Sequence, residues 1–238
     1  MLMFPYANFL LDFERKHGGQ THRNSPENTR AAVIVETRPD FWLPRVIRNV
    51  MYFLGPRWNL YVFCREESGA YAQASLPGWD VWYRRVPGDG SRLLRQHYNQ
   101  LMTRPGFWAS FPESKLLIFQ ADSLLSSPGI DEFLHYDFVG APFGDFDERY
   151  GANGGLSLRT RDVMLECLER VPYPPGEAED WYFTEAVRRI GGAMPDFETA
   201  TRFSVETYYT AHPVGVHGTC KYFHGVQVAR KITEAIPY

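Results

Sequence analysis

Cysteine is scarce in this chain: three in 238 residues, at Cys64, Cys167 and Cys220. An odd number at wide spacing builds neither a disulfide framework nor a Cys-rich metal site, and it favours a reducing, cytoplasmic compartment. No apolar run approaches the ~18 residues a membrane span needs. The apolar start carries Pro5 and Asp12, with no basic stretch before it and no small-residue cleavage site, so it reads as a short packing helix and not a signal peptide. A basic surplus is missing too: net charge is -3, which argues against a nucleic-acid partner. There is no internal repeat, no low-complexity tract, and no GxGxxG after a strand, so a Rossmann dehydrogenase is excluded. A nucleotidyltransferase is disfavoured as well, because its glycine-rich basic loop would fall where Glu36-Thr37-Arg38-Pro39-Asp40 stands.

What is present fits one sizeable α/β core. Residues 31–36 form a continuous apolar run, as a buried parallel strand does. Residues 40–54 carry Phe41, Val46, Ile47, Val50, Phe53 and Leu54 at helical spacing and stop at Gly55-Pro56. Strands are expected at 58–64, 79–86 and 115–120, with a helix over 91–102 capped by Ser91. The second half is less regular. Strands are expected at 136–140 (followed by a turn at 141–143), 154–158 and 200–206, helices at 162–169 and 180–190, and a loop or edge strand at 213–218. Residues 1–30 read as a helix and loop extension, and 31–238 as one domain with a donor half (about 31–125) and an acceptor half (about 126–220).

In such sheets ligands sit beyond the carboxyl ends of the strands, which marks Glu36-Thr37-Arg38, Gln120 to Ser123 and the Arg84-Arg85 region. The most informative run is Asn153-Gly154-Gly155-Leu156-Ser157-Leu158-Arg159-Thr160, because two glycines let the backbone come close to something bulky. Asp122 reads either as a turn cap or as a ligand for a divalent cation, which takes hard oxygen donors alongside substrate phosphates. His217, beside Gly218, is a surface residue or the second ligand. Glu179 and Asp180 either complement a helix dipole or supply a general base for a sugar hydroxyl beside the Trp181-Tyr182-Phe183 wall. Arg38 and Arg159 are ordinary surface charges or phosphate ligands.

The ordered elements ETR, LGPRW, FQADS, YDFVGAPF, NGGLSLRTRDVM, EDWYF, FSVE and a late HG resemble a family of bacterial, fungal and viral proteins. That family, long known as a domain of unknown function, is regarded as GT-A-like glycosyltransferases, and the resemblance covers about residues 33–217. It implies a GT-A fold with a Rossmann-type, mostly parallel sheet, a nucleoside-diphosphate sugar donor (a UDP-sugar first), a glycan or other hydroxyl acceptor, and Mn²⁺ or Mg²⁺. It makes Asp122 and His217 metal ligands, turns Gly154 and Gly155 toward donor sugar or acceptor, and makes Asp180 the base of an inverting transfer, with Glu179 second. Gln120, Ser123, Asn153 and Arg159 join the donor-binding set. GT-A enzymes usually carry Asp-x-Asp after the fourth strand; here Gln120-Ala121-Asp122 stands instead. A catalytically silent sugar- or nucleotide-binding domain on the same frame is the alternative.

Overall fold

The computed structural model describes residues 6–87, 95–144 and 150–218, with 231 and 234. The expected cap at Ser91 and the third cysteine, Cys220, lie outside the described residues.

In chain order the elements are α1 (Ala7–His17), β1 (Arg30–Val35), α2 (Leu43–Leu54), β2 (Trp58–Cys64), α3 (Glu66–Ser75), β3 (Trp82–Arg85), α4 (Arg95–Met102), α5 (Pro105–Ala109), β4 (Lys115–Phe119), β5 (Ser123–Leu125), β6 (Phe138–Phe143), β7 (Gly151–Thr160), α6 (Arg161–Arg170), α7 (Glu179–Ile190), α8 (Phe197–Phe203), β8 (Ser204–Val205) and β9 (Gly215–His217). Six strands form the central sheet in the order β3-β2-β1-β4-β7-β6. β1 pairs parallel with β2 and β4, and β2 with β3; β7 pairs antiparallel with both β4 and β6. Only β7 therefore runs against the rest, and the fold is a mixed α/β architecture with a mostly parallel sheet flanked by helices.

Both faces of the sheet are buried, which is why its strands read as unbroken apolar runs. On one side Ala32, Ile34, Leu60, Val62, Leu117 and Phe119 pack with α2 residues such as Ile47 and Val50 and with Phe9, Leu10 and Phe13 of α1. On the other, Ala31, Val33, Tyr61, Leu116 and Ile118 pack with Trp108 of α5, Met164 of α6 and Phe183 of α7. Strict alternation of inward partners along β1, β2 and β4 produces this two-faced core.

Several expectations change. Residues 200–206 do not form one strand: α8 runs to Phe203, and only Ser204–Val205 pair. The Asp196 carboxylate accepts from Thr199 N at 2.7 Å and starts that helix, and Ala200 and Phe203, three apart, face the core. The expected turn at 141–143 is the continuation of β6, bent by an irregularity between Gly140 and Pro142. β6 is an edge strand of the central sheet, where a proline that cannot donate is tolerated. The expected strand over 79–86 pairs only at Trp82–Arg85. α3, unforeseen, buries only Ser68 and Ala72 and so shows almost no apolar stripe.

A second, small sheet, β5-β9-β8, lies beside the first. β9 pairs antiparallel with β5 in the register Ser123↔His217 and Leu125↔Gly215. It brings the residues around 217 to the turn that follows β4.

Candidate functional site

β4 ends at Phe119, and the chain turns at once. Ser123 N donates to Gln120 O at 3.0 Å, and Gln120 N donates to Gly155 O at 2.9 Å. The Ser123 hydroxyl, wholly buried, donates to Gly155 O at 2.9 Å and closes the turn against β7. Ser123, expected among the donor-binding residues, is thus a brace inside the protein. The turn leaves Gln120 and Asp122 only partly covered, and Gly218 N donates to Asp122 O at 3.1 Å.

His217 faces this turn from β9. Its Nε2 lies 3.2 Å from Gln120 Oε1 and 3.4 Å from Asp122 Oδ1, and its Nδ1 lies 3.5 Å from Glu206 Oε1. Glu206 in turn accepts from Asn153 Nδ2 at 3.1 Å. Burial pulls the imidazole down, but Asp122 first and Glu206 after it prevail, lifting it to about 10. Gly155 makes this packing feasible, since a Cβ there would stand 2.1 Å from His217 Nε2.

Next to it, a Cβ on Gly154 would stand 2.1 Å from Glu179 Oε1 and 3.1 Å from Asp180 Cβ. The expectation that both glycines clear room for donor or acceptor is therefore corrected. The atoms that occupy the space are His217, Glu179 and Asp180 of the protein itself.

Glu179 and Asp180 open α7 with different fates. Glu179 is buried and takes the Arg159 guanidinium with both oxygens, at 2.7 and 3.1 Å. Burial pushes its carboxyl above the ordinary value, against the pull of Arg159. Arg159 is fully buried, also donates to Ser157 Oγ at 2.9 Å, and lies over the rings of Phe138, Phe183 and Trp108. The expected phosphate ligand Arg159 and second-choice base Glu179 are joined to each other inside the core. Asp180 remains partly exposed: Oδ1 accepts from Trp181 N at 2.9 Å and Oδ2 from Gly154 N at 3.3 Å.

At the carboxyl end of β1, Glu36 and Thr37 are buried. Glu36 grips Arg38 through contacts of 2.9 Å to Nε and 2.7 Å to Nη2. That grip leads the effects raising the Arg38 pKa, with Asp40 and Asp122 as further acidic neighbours. Two residues went unnoticed in the sequence. Arg65, directly after β2, has Nε and Nη1 buried with no hydrogen-bond partner among the described residues. Tyr98 of α4 has a buried hydroxyl, pushed up by burial, with Glu179, Arg159, Gln120 and Asp180 as its electrostatic neighbours. An arginine one place past an apolar run was the available signal for the first; nothing in the helix pattern distinguishes Tyr98. A cavity of about 540 Å³, lined by Arg95, Gln96, Asn99, Gly176 and Ala178, opens beside the start of α7.

The donor set suits a divalent cation. Two neighbouring ligands at about 2.1 Å from one octahedral ion stand about 3 Å apart, near the 3.4 Å between His217 Nε2 and Asp122 Oδ1. Among the described residues no three of His, Cys, Asp and Glu converge on one point. Such a cation would therefore need oxygens from elsewhere, and a diphosphate supplies them.

Solved structures share this architecture. The apo form of mouse xyloside xylosyltransferase 1 superposes with a TM-score of 0.56 at 12% identity, covering 81% of this chain and 98% of that one. The apo form of the glycosyltransferase GlyE of Streptococcus pneumoniae TIGR4 gives 0.55 at 11% identity, covering 86% of this chain and 60% of that one; a second GlyE structure gives 0.53 at 12%, with 60% of its length spanned. At such identity the likeness is one of fold, the GT-A-type glycosyltransferase fold. No curated protein sequence matches. Residues 91–217, more than half of the chain, match the family described as "Protein of unknown function (DUF5672)", and the chain belongs to that family.

Proposed function

We propose that this protein transfers a sugar from a nucleoside-diphosphate donor to a hydroxyl acceptor with inversion, using a divalent cation held by Asp122 and His217 and Asp180 as base. The observation that carries the reading is the grouping of three side chains from distant parts of the chain about the 153–155 segment. Asp122 and His217 meet beside Gly155, and Asp180 is held on Gly154 N. On this reading the donor half covers about residues 31–125 and the acceptor half about 126–220.

The nucleoside lies across the ends of β1 and β2, near Glu36 to Arg38. Asp122 and His217 would hold the cation, Mn²⁺ or Mg²⁺, which when bound would supply positive charge against the departing diphosphate. Asp180 takes the acceptor proton on Oδ2, which accepts a long hydrogen bond, 3.3 Å, from Gly154 N. The acceptor oxygen then bonds to the anomeric carbon while the carbon–phosphate-oxygen bond breaks and its electron pair leaves on the diphosphate. The Glu179–Arg159 pair pins the first turn of α7 against β7 and so fixes where Asp180 stands. The cavity beside α4 receives the acceptor. Its polar lining of Arg95, Gln96 and Asn99 suits a glycan.

Calorimetry with UDP-, GDP- and dTDP-sugars, with and without Mn²⁺, tests the first half. Affinity should drop in EDTA and in Asp122→Asn; affinity indifferent to both would end the metal reading. Asp180→Asn should bind donor normally and lose ~10²–10⁴-fold in turnover. Gln120, where GT-A enzymes usually have Asp, favours a second reading: a domain that binds sugar nucleotide without transferring it. Donor binding with no turnover over a wide acceptor panel would select that reading.

A further inference from the structure

A second cavity lies at the end of the sheet opposite the candidate site. It measures about 290 Å³, and its lining includes Gln20, His22 and Arg23 from the segment between α1 and β1, Tyr52 and Pro56 at the end of α2, and Trp79 after α3. Gly55-Pro56 leads into β2 at Trp58, so this is the amino end of the strands. The seven residues of β2, at ~3.3 Å each, put roughly 20 Å between the cavity and the carboxyl edge of the sheet.

The wall of the cavity is fixed by β2. The Asn24 side-chain amide stands in for a neighbouring strand: its Oδ1 accepts from Leu60 N at 2.7 Å, and its Nδ2 donates to Leu60 O at 3.3 Å. Oδ1 also lies 2.9 Å from His22 Nε2, so that nitrogen carries the proton. Burial pulls the His22 pKa down, which keeps the ring neutral and leaves its Nδ1 an acceptor. Two further acceptors belong to lining residues. Gln20 Oε1 is buried with no hydrogen-bond partner among the described residues. The Tyr52 carbonyl is in the last turn of α2, and Pro56, four places on, has no N–H to cap it. A buried oxygen left unpaired is costly, and a ligand that donates to it removes the cost.

Acceptors in excess call for a ligand that brings donors, either hydroxyls or an ammonium. The surroundings favour hydroxyls. Arg23 lines the cavity, and the Arg48 guanidinium lies 5.5 Å from the Trp79 ring centre, so a cation would meet charge of its own sign. The Tyr52 ring, in a residue 38% exposed, and the Trp79 ring offer apolar surface to the C–H face of a sugar. The volume is near the lower limit of the roughly 300–1,000 Å³ of small-ligand pockets, which suits a short saccharide. We propose that this cavity is a glycan-binding site, distinct from the candidate active site, that takes a neutral mono- or disaccharide unit on Gln20 Oε1, His22 Nδ1 and the Tyr52 and Trp79 rings. It stands whether or not the protein transfers sugar, because no residue of the transfer site takes part.

The test is saturation-transfer-difference NMR of the full chain with lactose, maltose, cellobiose, xylobiose and N,N′-diacetylchitobiose, without nucleotide or metal. Choline serves as the cationic probe. At least one saccharide should bind the wild type, and choline should not. Gln20→Leu should weaken that saccharide by at least about fivefold, the usual effect of one lost hydrogen bond. Its denaturation midpoint should hold or rise, because leucine relieves a buried unpaired oxygen, so lost binding will not be lost folding. Tyr52→Ala, at a partly exposed ring, should weaken binding too and keeps the proposal falsifiable should the leucine variant not fold. Asp122→Asn and Asp180→Asn should bind the saccharide as the wild type does. Binding that survives Gln20→Leu and Tyr52→Ala but falls in either aspartate variant would move the saccharide to the candidate active site and overturn the proposal. Choline binding in place of saccharide, or no saccharide binding at all, would overturn it as well.

Discussion

Arg159 and Glu179 show how much can depend on one buried charge pair. Both oxygens of the carboxylate meet the guanidinium, and neither side chain is more than 4% exposed. Removing one partner of such a pair strands the other in the core at a cost of ~3–5 kcal/mol, whereas replacing both by apolar groups is often close to neutral. Arg159→Met should therefore destabilise the protein by that amount in urea denaturation, and Arg159→Met with Glu179→Leu should recover most of the loss. A single-variant loss below about 1 kcal/mol would place the pair among ordinary surface contacts. The neighbouring glycines should separate by outcome. Gly154→Ala drives a methyl into Glu179 and should lower the denaturation midpoint. Gly155→Ala drives one into His217 Nε2 and should chiefly weaken Mn²⁺ binding. Equal effects of the two on both measurements would contradict this division.

Among the elements, α8 is held by a simple device, the Asp196 side chain at its first turn. Asp196→Ala should lower stability by about 1 kcal/mol and leave nucleotide affinity unchanged, because α8 contributes no side chain to the site. A change in affinity would show that α8 sets the position of Glu206, three residues beyond its end. The central strands were legible in the sequence because burial on both faces leaves runs such as 31–36 and 115–120 unmistakably apolar. α8 was not, because Phe203 and Val205, two apart at the end of the 200–206 segment, suit a pleat, and the Asp196 cap with the packing of Ala200 and Phe203 decides for helix up to Phe203. The same divide runs through the site. Asp122 and His217 were readable from their place beside a strand end and a glycine. That Arg159 faces Glu179, or that Glu206 stands behind His217, follows from which chain segments meet in space. No spacing within one segment reports that.

For the whole molecule, pH dependence is partly set far from the site. The Lys115 ammonium donates to Tyr136 O at 2.7 Å and Thr160 Oγ1 at 2.5 Å, and burial, with Arg30 adding, pushes it down to about 8 against the opposing pull of Asp137. The unfolded chain keeps this proton until about pH 10.4, so between about 8 and 10.4 the unfolded state binds more protons and stability gains as pH rises. That contribution is lost as pH falls through about 8. Compared with Lys115→Met, the wild type should gain relative stability from about pH 7.5 to 9.5 in parallel denaturation curves; a flat difference would refute the assignment. The pairing of β9 with β5 reaches further. Asp122 and His217 are 95 residues apart (217 − 122), yet a single register, Ser123 against His217, brings them together. A slip of one residue would set Val216 or Gly218 opposite Ser123 and turn the imidazole to the other face. Contacts between such distant segments close late in folding. In stopped-flow refolding, Mn²⁺ capture should accordingly coincide with the slowest major phase, and capture in an earlier phase would count against this order. On the proposed function, a bound cation would thereby proofread assembly, since misalignment of β9 against β5 would separate the two side chains that would hold it.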